Sequence, residues 1–371
     1  MQAAQGKKQG APRQSRAQIK AQRLKMQRRQ KVRRIAWRTG LSVLTVIGVV
    51  LVAALSAGFV AFRGPSRTMG DLLTVSMQET SALKFIPRIY YSEAEMTEIR
   101  ARNSVVAPDA ETDTSMIVIA DPNEASKEQE PAAAPENLII SEDGIEVYTV
   151  KGATFNGYMM VVHDPSRVSV GVCRENFSSK PGLQLHEIVK RHDAIAGING
   201  GGFEDVGGVG NGGKPSGLVI SNGKVLNRAS NNPDHAIMAG FNQENKLIVG
   251  ALTTAEAEKK GIRDALAFGP ALVVNGEAAR VKGSSSGLNP RTAIGQRTDG
   301  AVLLLVIDGR TASSLGATYA DMINVLLEYG AFNALNLDGG SSSLMYYKDD
   351  YLNRGVILTG ARDIPTAFVV R

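Results

Sequence analysis

The chain has 371 residues, enough for more than one domain, and 43% of them are hydrophobic, so it can bury a sizeable core. It contains 42 Lys and Arg against 36 Asp and Glu, but 13 of the basic residues and none of the acidic ones lie within residues 1–38. Residues 39–371 therefore carry a formal charge of −7, which argues against nucleic-acid binding by the folded part of the chain.

The basic N-terminal tail, residues 1–38, leads into an uncharged apolar stretch at residues 39–62. Arg38 and Arg63 bound this stretch, Trp37 stands at its start, and its length suits the roughly 20 helical residues that cross a bilayer. A cleaved signal peptide is the alternative, but the charged region is too long for one and no small-residue cleavage site follows. We therefore predict a transmembrane helix at 39–62, with the tail in the cytoplasm and the rest of the chain outside.

Residues 63–105 are predicted to form a helical stalk, because apolar residues recur at helical spacing and Ser92 with Glu95 makes a capping box. Residues 106–137 are acidic and rich in Ala and Pro, a composition that indicates a linker. Cys173, the lone cysteine, lies in an alternating apolar run and is predicted to be a buried strand residue. A single cysteine also agrees with an exported protein that does not rely on disulfides.

From residue 138 to residue 371, short apolar segments alternate with glycine turns and a few helical segments. Segments 145–150, 157–163 and 167–173 are predicted strands, 183–192 is a predicted amphipathic helix, and Asn222-Gly223 is the turn of a predicted hairpin. Residues 301–308, 317–330 and 332–338 are predicted to form a strand–helix–strand crossover between parallel strands. The predicted fold class is α+β, with a mixed twisted β-sheet core and flanking helices, preceded by one transmembrane helix.

A carboxylate follows each strand of this crossover unit, Asp308 after the first and Asp338 after the second. The carboxyl ends of parallel strands meet at one edge of a sheet, where ligand sites collect. Two glycines and three serines follow Asp338, so a polar and flexible tip succeeds a buried strand. The two aspartates either belong to a site at this edge, where their oxygens could also hold a divalent cation, or they cap ordinary turns.

Other chemical motifs fail on inspection. The glycine-rich segment 207–215 has Pro215 after Lys214, where a nucleotide-binding loop needs Ser or Thr, and a hairpin follows it instead of a helix. A nucleophile-elbow motif and zinc-ligand spacing of His and Cys are both missing from the sequence. The glycine-rich segment is better interpreted as a loop that flanks a substrate site.

Five segments, in order along the chain, resemble the phosphodiester glycosidase family. They are INGGGFED (198–205), FGPALVVNGE (268–277), LNPRTAIGQ (288–296), VIDGR (306–310) and LNLDGGSSSLMYY (335–347). The resemblance covers about residues 140–371 and implies cleavage of the bond between the anomeric carbon of a sugar and a phosphate. The chain departs from the family at Gly202, where an aromatic or apolar residue is common, and this change could widen the pocket.

The resemblance also implies roles for individual residues. Asp338 is the candidate nucleophile or base, Glu204 or Asp205 is the candidate second carboxylate, and Asp308 lies at the same sheet edge. Arg291 is the first candidate for binding the phosphate and Arg310 the second, since arginine suits bidentate binding of phosphate. Further predicted substrate contacts are Thr292, Asn199, Gly200, Gly201, Gly339, Gly340, Ser341 and Ser342. A carboxylate separation near 5 Å would indicate retention, and one of roughly 6.5 to 9.5 Å inversion.

The sequence thus predicts a membrane-anchored extracytoplasmic hydrolase that acts on a glycosyl phosphodiester of cell-wall or exopolysaccharide origin. Its expected partners are the carbohydrate phosphodiester and the lipid bilayer, with no nucleic acid, and the sequence requires no cofactor. Two alternatives remain open. One is a wall-glycan binding or assembly module without turnover, and the other is a glycosyl or glycosyl-phosphate transferase, which an added acceptor would distinguish from a hydrolase.

Overall fold

The architecture is that of a computed structural model. The structure describes residues 15–80, 83–119, 135–204, 210–228, 235–284, 286–353 and 361–371. The chain divides into two compact units, 1–61 and 62–371. The helices are α1 (Arg16–Arg63), α2 (Arg67–Gln78), α3 (Pro87–Tyr90), α4 (Glu93–Arg102), α5 (Leu185–Arg191), α6 (Thr254–Lys259) and α7 (Tyr319–Glu328). Two 3₁₀ turns cover Pro165–Arg167 and Gly340–Ser342.

The strands are short and belong almost entirely to the part of the chain after residue 137. They are β1 (Val105–Val106), β2 (Leu138–Glu142), β3 (Ile145–Lys151), β4 (Asn156–Val162), β5 (Val168–Val172), β6 (Ala196–Asn199), β7 (Val219–Ser221), β8 (Lys224–Asn227), β9 (Ala236–Asn242), β10 (Leu247–Leu252), β11 (Ile262–Ala267), β12 (Ala271–Val274), β13 (Glu277–Ala278), β14 (Arg280–Val281), β15 (Arg291–Arg297), β16 (Val302–Ile307), β17 (Ala331–Asn336), β18 (Met345–Tyr347), β19 (Asp350–Tyr351) and β20 (Thr366–Val370).

The first unit contains nearly all of α1, a helix of 48 residues. Helix α1 includes the whole uncharged stretch 39–62, and the helix is long and apolar enough to cross a membrane. Of the residues that the structure describes, no other helix meets that test. Helix α1 also contains the basic residues from 16 to 38, so the helix begins well before the predicted span.

The second unit is built on three antiparallel sheets. The largest has eight strands in the order β13-β12-β17-β15-β16-β4-β3-β2, and two five-stranded sheets have the orders β10-β9-β11-β7-β8 and β19-β18-β6-β20-β5. One face of the eight-stranded sheet packs against the two smaller sheets in the main hydrophobic core, and the other face packs under α7. Both faces of the central strands are therefore buried, which explains their almost continuous apolar sequences.

The α+β prediction is confirmed, while two details of it, the direct pairing of the crossover strands and the mixed sheet, are wrong. β16 and β17 do run in the same direction and are joined through α7, but they are not neighbours, since β15 lies between them and is antiparallel to both. Each paired strand in the described part of the chain is antiparallel to its partner, so the sheets are not mixed. The expectation that residues 308 and 338 follow strands that end at one edge is met all the same.

Local sequence signals predicted several elements correctly. Ser92 and Glu95 form the predicted capping box at the start of α4. Asn222 and Gly223, with φ of 50° and 74°, make the turn between β7 and β8. Cys173 is buried, as predicted, but it lies directly after β5 and not within the strand. The predicted amphipathic helix at 183–192 corresponds to α5.

The segment from α2 to β1 is helical, as expected, and packs against the C-terminal domain. Arg102 of α4 binds Asp71 of α2 through two hydrogen bonds of 2.5 and 2.6 Å. β1 pairs with β14, and the Ser76 hydroxyl of α2 accepts a hydrogen bond from the Leu288 amide at 2.9 Å. We call residues 62–106 the membrane-proximal segment because it follows the predicted transmembrane helix, and it forms part of the second unit. The predicted boundaries of tail, stalk, linker and catalytic domain stay predictions, and residues 120–134 of the predicted linker lie outside the described residues.

Candidate active site

A cavity of about 270 Å³ lies at the edge of the eight-stranded sheet where β16 and β17 end. Its wall includes Asp338 and the two glycines after it, both arginines singled out from the sequence, Pro290 and Leu337, and five polar or aromatic residues that the sequence did not single out. Those five are Glu79, Phe268, Asn289, Tyr319 and Asn336. The cavity therefore joins carboxylate, guanidinium, amide and aromatic groups in one place.

Asp338 is held by its backbone. Its amide donates to the Gly200 carbonyl at 3.1 Å, and its carbonyl accepts a hydrogen bond of 2.6 Å from the side-chain amide of Asn199. Asn199 is buried, and its own side-chain oxygen accepts from the Thr292 hydroxyl at 2.8 Å and from the Leu344 amide at 3.2 Å. Asn199 and Thr292 thus fix the position of the strand end from beneath, and neither lines the cavity wall as the structure describes it.

The glycines of the two motifs allow close backbone approach. A Cβ atom at Gly200 would lie 2.6 Å from side-chain atoms of Thr366 and Leu266, so no residue larger than glycine fits at this position. Gly340 has a φ of +64°, and a Cβ atom there would lie 3.3 Å from the Arg310 guanidinium. Gly200 and Gly201 are buried against neighbouring strands, whereas Gly339 and Gly340 line the cavity. The first pair therefore serves packing and the second pair shapes the site.

Arg291 has a largely occupied guanidinium. It is 3% exposed, its Nε donates to the Ala317 carbonyl at 3.2 Å, and its Nη2 donates to the carbonyls of Ser286 and Gly287, each at 3.1 Å. The guanidinium also lies 4.2 Å from the centre of the Tyr319 ring. Its Nη1 pairs with the Glu79 carboxylate at 3.0 Å. Arg291 therefore holds a loop and a carboxylate in place.

Arg310 faces the cavity from the loop that follows β16. Its backbone has a φ of +58°, an uncommon conformation for a side chain of this size, and its Nη2 donates to the Asn289 side-chain oxygen at 3.0 Å. Burial lowers the pKa of the Arg310 guanidinium, against the opposing effect of Glu79, which raises it. The guanidinium remains a cation at neutral pH, because arginine side chains are not deprotonated in proteins.

Asp308 and Glu204 lie away from the cavity wall as described. Asp308 accepts a hydrogen bond of 2.9 Å from the Asn353 side chain, and burial raises the pKa of its carboxyl. Glu204 is exposed and pairs with Lys214 at 2.5 Å. The alternative second carboxylate, Asp205, lies outside the described residues.

The serines after Asp338 differ from one another. Ser341 is exposed and lies 3.5 Å from an Arg362 nitrogen, while Ser342 is buried. The side-chain oxygens of Ser342 and Asn336 are buried without a hydrogen-bond partner in the structure. Because Asn336 lines the cavity, its oxygen is a candidate acceptor for a hydroxyl group of a bound ligand.

A divalent cation is the cofactor that the sequence left open. Among the residues that the structure describes, no group of three or more His, Cys, Asp and Glu side chains is placed to hold a metal ion. The alternative that Asp308 and Asp338 hold a divalent cation stays untested.

Three of the five missed residues lie within the motif segments, since Phe268 begins FGPALVVNGE, Asn289 precedes Pro290 in LNPRTAIGQ and Asn336 precedes Leu337 in LNLDGGSSSLMYY. An amide inside a motif is the signal that could have identified the two asparagines. Tyr319 and Glu79 had no comparable signal, because Tyr319 reads as the first turn of an amphipathic helix and Glu79 as the end of a stalk helix.

Three comparisons relate the chain to known proteins. Over 98 residues, 25% of this chain and 15% of its relative, it is 40% identical to the SPbeta prophage-derived uncharacterized protein YomE of Bacillus subtilis, so it spans a small part of that relative. It resembles the zebrafish N-acetylglucosamine-1-phosphodiester alpha-N-acetylglucosaminidase catalytic domain auto-inhibited by its pro-peptide, with a TM-score of 0.49 and 20% identity over 65% of this chain and 85% of that one. A hypothetical protein from Synechocystis gives a TM-score of 0.46 and 18% identity over 64% of each chain.

The model of the phosphodiester glycosidase family matches residues 192–371. This range contains all five motif segments, the arginines of the cavity and Asp338. Residues 192–371 therefore form a domain of the phosphodiester glycosidase family.

Proposed function

We propose that the protein is a membrane-anchored extracytoplasmic hydrolase that cleaves the bond between the anomeric carbon of a sugar and a phosphate in a glycosyl phosphodiester. The observation that carries this proposal is the cavity of about 270 Å³ in which Asp338 and Arg310 share one wall within the family domain. A carboxylate and a guanidinium in one pocket suit a substrate that has a sugar on one side of the broken bond and a phosphate on the other.

Arg310 is the better candidate for binding the phosphate. Three of the carbonyl groups around Arg291 already accept its hydrogen bonds, and its remaining nitrogen is paired with Glu79. Arg310 instead projects into the cavity next to Gly340. Since phosphate is a good leaving group, a positive charge beside it stabilises the transition state more than protonation does.

We assign Asp338 to the sugar side of the reaction. The anomeric carbon gains positive charge as its bond to phosphate breaks, and a nearby carboxylate stabilises that charge. The buried Asn199 and the Gly200 carbonyl bind the backbone of Asp338 on both sides, which favours a fixed carboxylate position. A rigid carboxylate costs little reorganisation during the reaction.

Helix α1 supports the anchoring part of the proposal. The uncharged stretch 39–62 follows a basic tail, and cytoplasmic flanks of membrane helices are enriched in Lys and Arg. The tail would then be cytoplasmic and the family domain would lie outside the cell. A phosphodiester of a cell-wall glycan or exopolysaccharide is the substrate class that this location would offer.

The test uses the full chain in detergent micelles with a GlcNAc-α-phosphodiester and a small panel of other sugar phosphodiesters. We expect release of free sugar and of a phosphate monoester by the parent, and losses of at least about 100-fold in kcat/KM for Asp338→Asn and Arg310→Ala. Glu244→Gln, an exposed change in the turn between β9 and β10, is the control and should leave activity unchanged. An assay with EDTA added tests the alternative in which Asp308 and Asp338 hold a divalent cation.

Absence of sugar release across the panel would refute hydrolysis. Retained binding of the same phosphodiesters would then indicate a glycan-binding module. Transfer of the sugar to an added alcohol acceptor, in preference to water, would indicate a transferase. Full activity in Asp338→Asn would show that the cavity is not the reaction site.

A further inference from the structure

The membrane-proximal segment places a carboxylate in the cavity. Glu79 directly follows α2, and its carboxylate accepts a hydrogen bond of 2.8 Å from the Asn289 side chain and pairs with Arg291 at 3.0 Å. About a third of the Glu79 side chain is exposed, whereas the Arg291 side chain is 4% exposed. The carboxylate is therefore held by Asn289 and Arg291, with a further side-chain hydrogen bond to Ser286, while part of the Glu79 side chain stays exposed.

Several contacts make this segment part of the wall of the site. The bidentate pair of Arg102 with Asp71 fixes α4 against α2, and Ser76 binds the Leu288 amide two residues before Pro290. Gly287 lies so close to α2 that a Cβ atom would come within 2.1 Å of the Ser76 hydroxyl. Moving this segment away from the site would break all of these contacts. The cavity beside Glu79 also remains open, at about 270 Å³.

The described cavity wall contains two carboxylates, and Glu79 is one of them. Glycosidases of most families use two carboxylates on either side of the bond that breaks. The carboxylates in the described cavity wall are Asp338 and Glu79. Glu204 is paired with Lys214 on the surface and Asp308 is bonded to Asn353, so neither takes the second position in this wall.

We propose that Glu79 is the second catalytic carboxylate of the site, supplied to the family domain by the membrane-proximal segment. This inference rests on the proposed function. Glu79 accepts the proton of a water molecule as the water oxygen bonds to the anomeric carbon. The carbon–oxygen bond to phosphate breaks, and its electron pair leaves on the phosphate monoester next to Arg310. The proton then passes from Glu79 to solvent.

Burial raises the pKa of the Glu79 carboxyl above its ordinary value, against the opposing effect of the Arg291 charge. A raised pKa makes a carboxylate a stronger base, and the most effective general bases have pKa values near the working pH. The hydrogen bond from Asn289 and the ion pair keep the carboxylate oriented while leaving it available as a base.

The test compares Glu79→Gln and Glu79→Ala with the matched control Glu93→Gln, an exposed acid of the same segment, in the full chain. We expect kcat to fall by about 10²–10⁴-fold in both Glu79 variants with a smaller change in KM, the range typical of a lost general base. The acidic limb of the pH–rate profile should disappear in Glu79→Gln. Sodium azide should restore turnover in Glu79→Ala and yield a glycosyl azide, which a purely structural defect would not do.

Three results would overturn the inference. A rise in activity of Glu79→Gln would mean that the side chain obstructs the site, and unchanged activity would mean that it takes no part in the reaction. Loss of activity without azide rescue and without a changed pH profile would leave only a structural role. A parent that turns over none of the phosphodiesters refutes the proposed function itself, and the inference falls with it, a case recognised before any variant is made.

Discussion

Replacing Asn199 by alanine should destabilise the fold and disturb the site together. The change removes the side chain that accepts hydrogen bonds from the Thr292 hydroxyl and the Leu344 amide and donates one to the Asp338 carbonyl. Each buried polar group left without a partner costs about 1–3 kcal/mol. With three groups affected at a fully buried position, we expect the free energy of unfolding to fall by about 3 kcal/mol and kcat to fall as the strand end carrying Asp338 loosens.

A double-mutant cycle with Thr292→Val tests the reasoning. Valine has a similar shape and removes the hydroxyl, so in the double variant the Thr292 position no longer leaves an unsatisfied donor. The two changes should therefore be less than additive by about 1 kcal/mol. Urea unfolding of the full chain in detergent, followed by near-ultraviolet circular dichroism, measures each value. Additivity within about 0.5 kcal/mol, or a loss below about 1 kcal/mol for Asn199→Ala, would refute the hydrogen-bond argument.

Three further predictions concern the site and its support. Gly340→Ala should cost about 1 kcal/mol of stability for its left-handed backbone and should lower activity, because the new Cβ atom presses on the Arg310 guanidinium at 3.3 Å. Asp71→Ala should lower the free energy of unfolding by about 2 kcal/mol at pH 7. Burial raises the pKa of Asp71, but its hydrogen bonds to Arg102 and Asn103 outweigh burial and hold the pKa below its ordinary value. The effect of the substitution should therefore shrink as the pH falls through the acidic range. Burial raises the pKa of Asp308, so the folded parent protein loses stability as the pH rises and this carboxyl group ionises. Asp308→Asn should therefore raise the melting temperature at pH 7. It should also reduce the fall in melting temperature that the parent shows between mildly acidic and neutral pH.

Each of these predictions has its own check. Gly223→Ala is the matched control for Gly340→Ala, since it has a similar φ of +74° with no neighbouring atom within 4 Å, and it should lose stability without losing activity. An Asp71→Ala effect that stays constant from pH 7 to pH 3 would contradict the ion-pair explanation. A melting temperature of Asp308→Asn that varies with pH as strongly as that of the parent would show that Asp308 is not the group responsible.

Local sequence patterns were sufficient for several of the elements. Alternating apolar residues predicted β3, β4 and β5, the Asn222-Gly223 pair predicted the hairpin, and the spacing of Ser92 and Glu95 predicted the start of α4. These features depend on contacts between residues close in the chain. Strand order depends on contacts between distant residues, and for that reason the placement of β15 between β16 and β17 could not be obtained from the apolar pattern.

The candidate site divides along the same line. The sequence by itself determined the uncharged stretch 39–62, the motif containing Asp338 and the presence of Arg291 and Arg310, because residue types and their order carry this information. Only the tertiary structure decided which side chains share the cavity. Asn199 and Thr292 lie beneath the site, and Arg291 donates hydrogen bonds to backbone carbonyls. Glu79 reaches the cavity although it is more than 200 residues away in the chain from Asn289, its hydrogen-bond partner. Such placements follow from packing between distant segments, which no local pattern records.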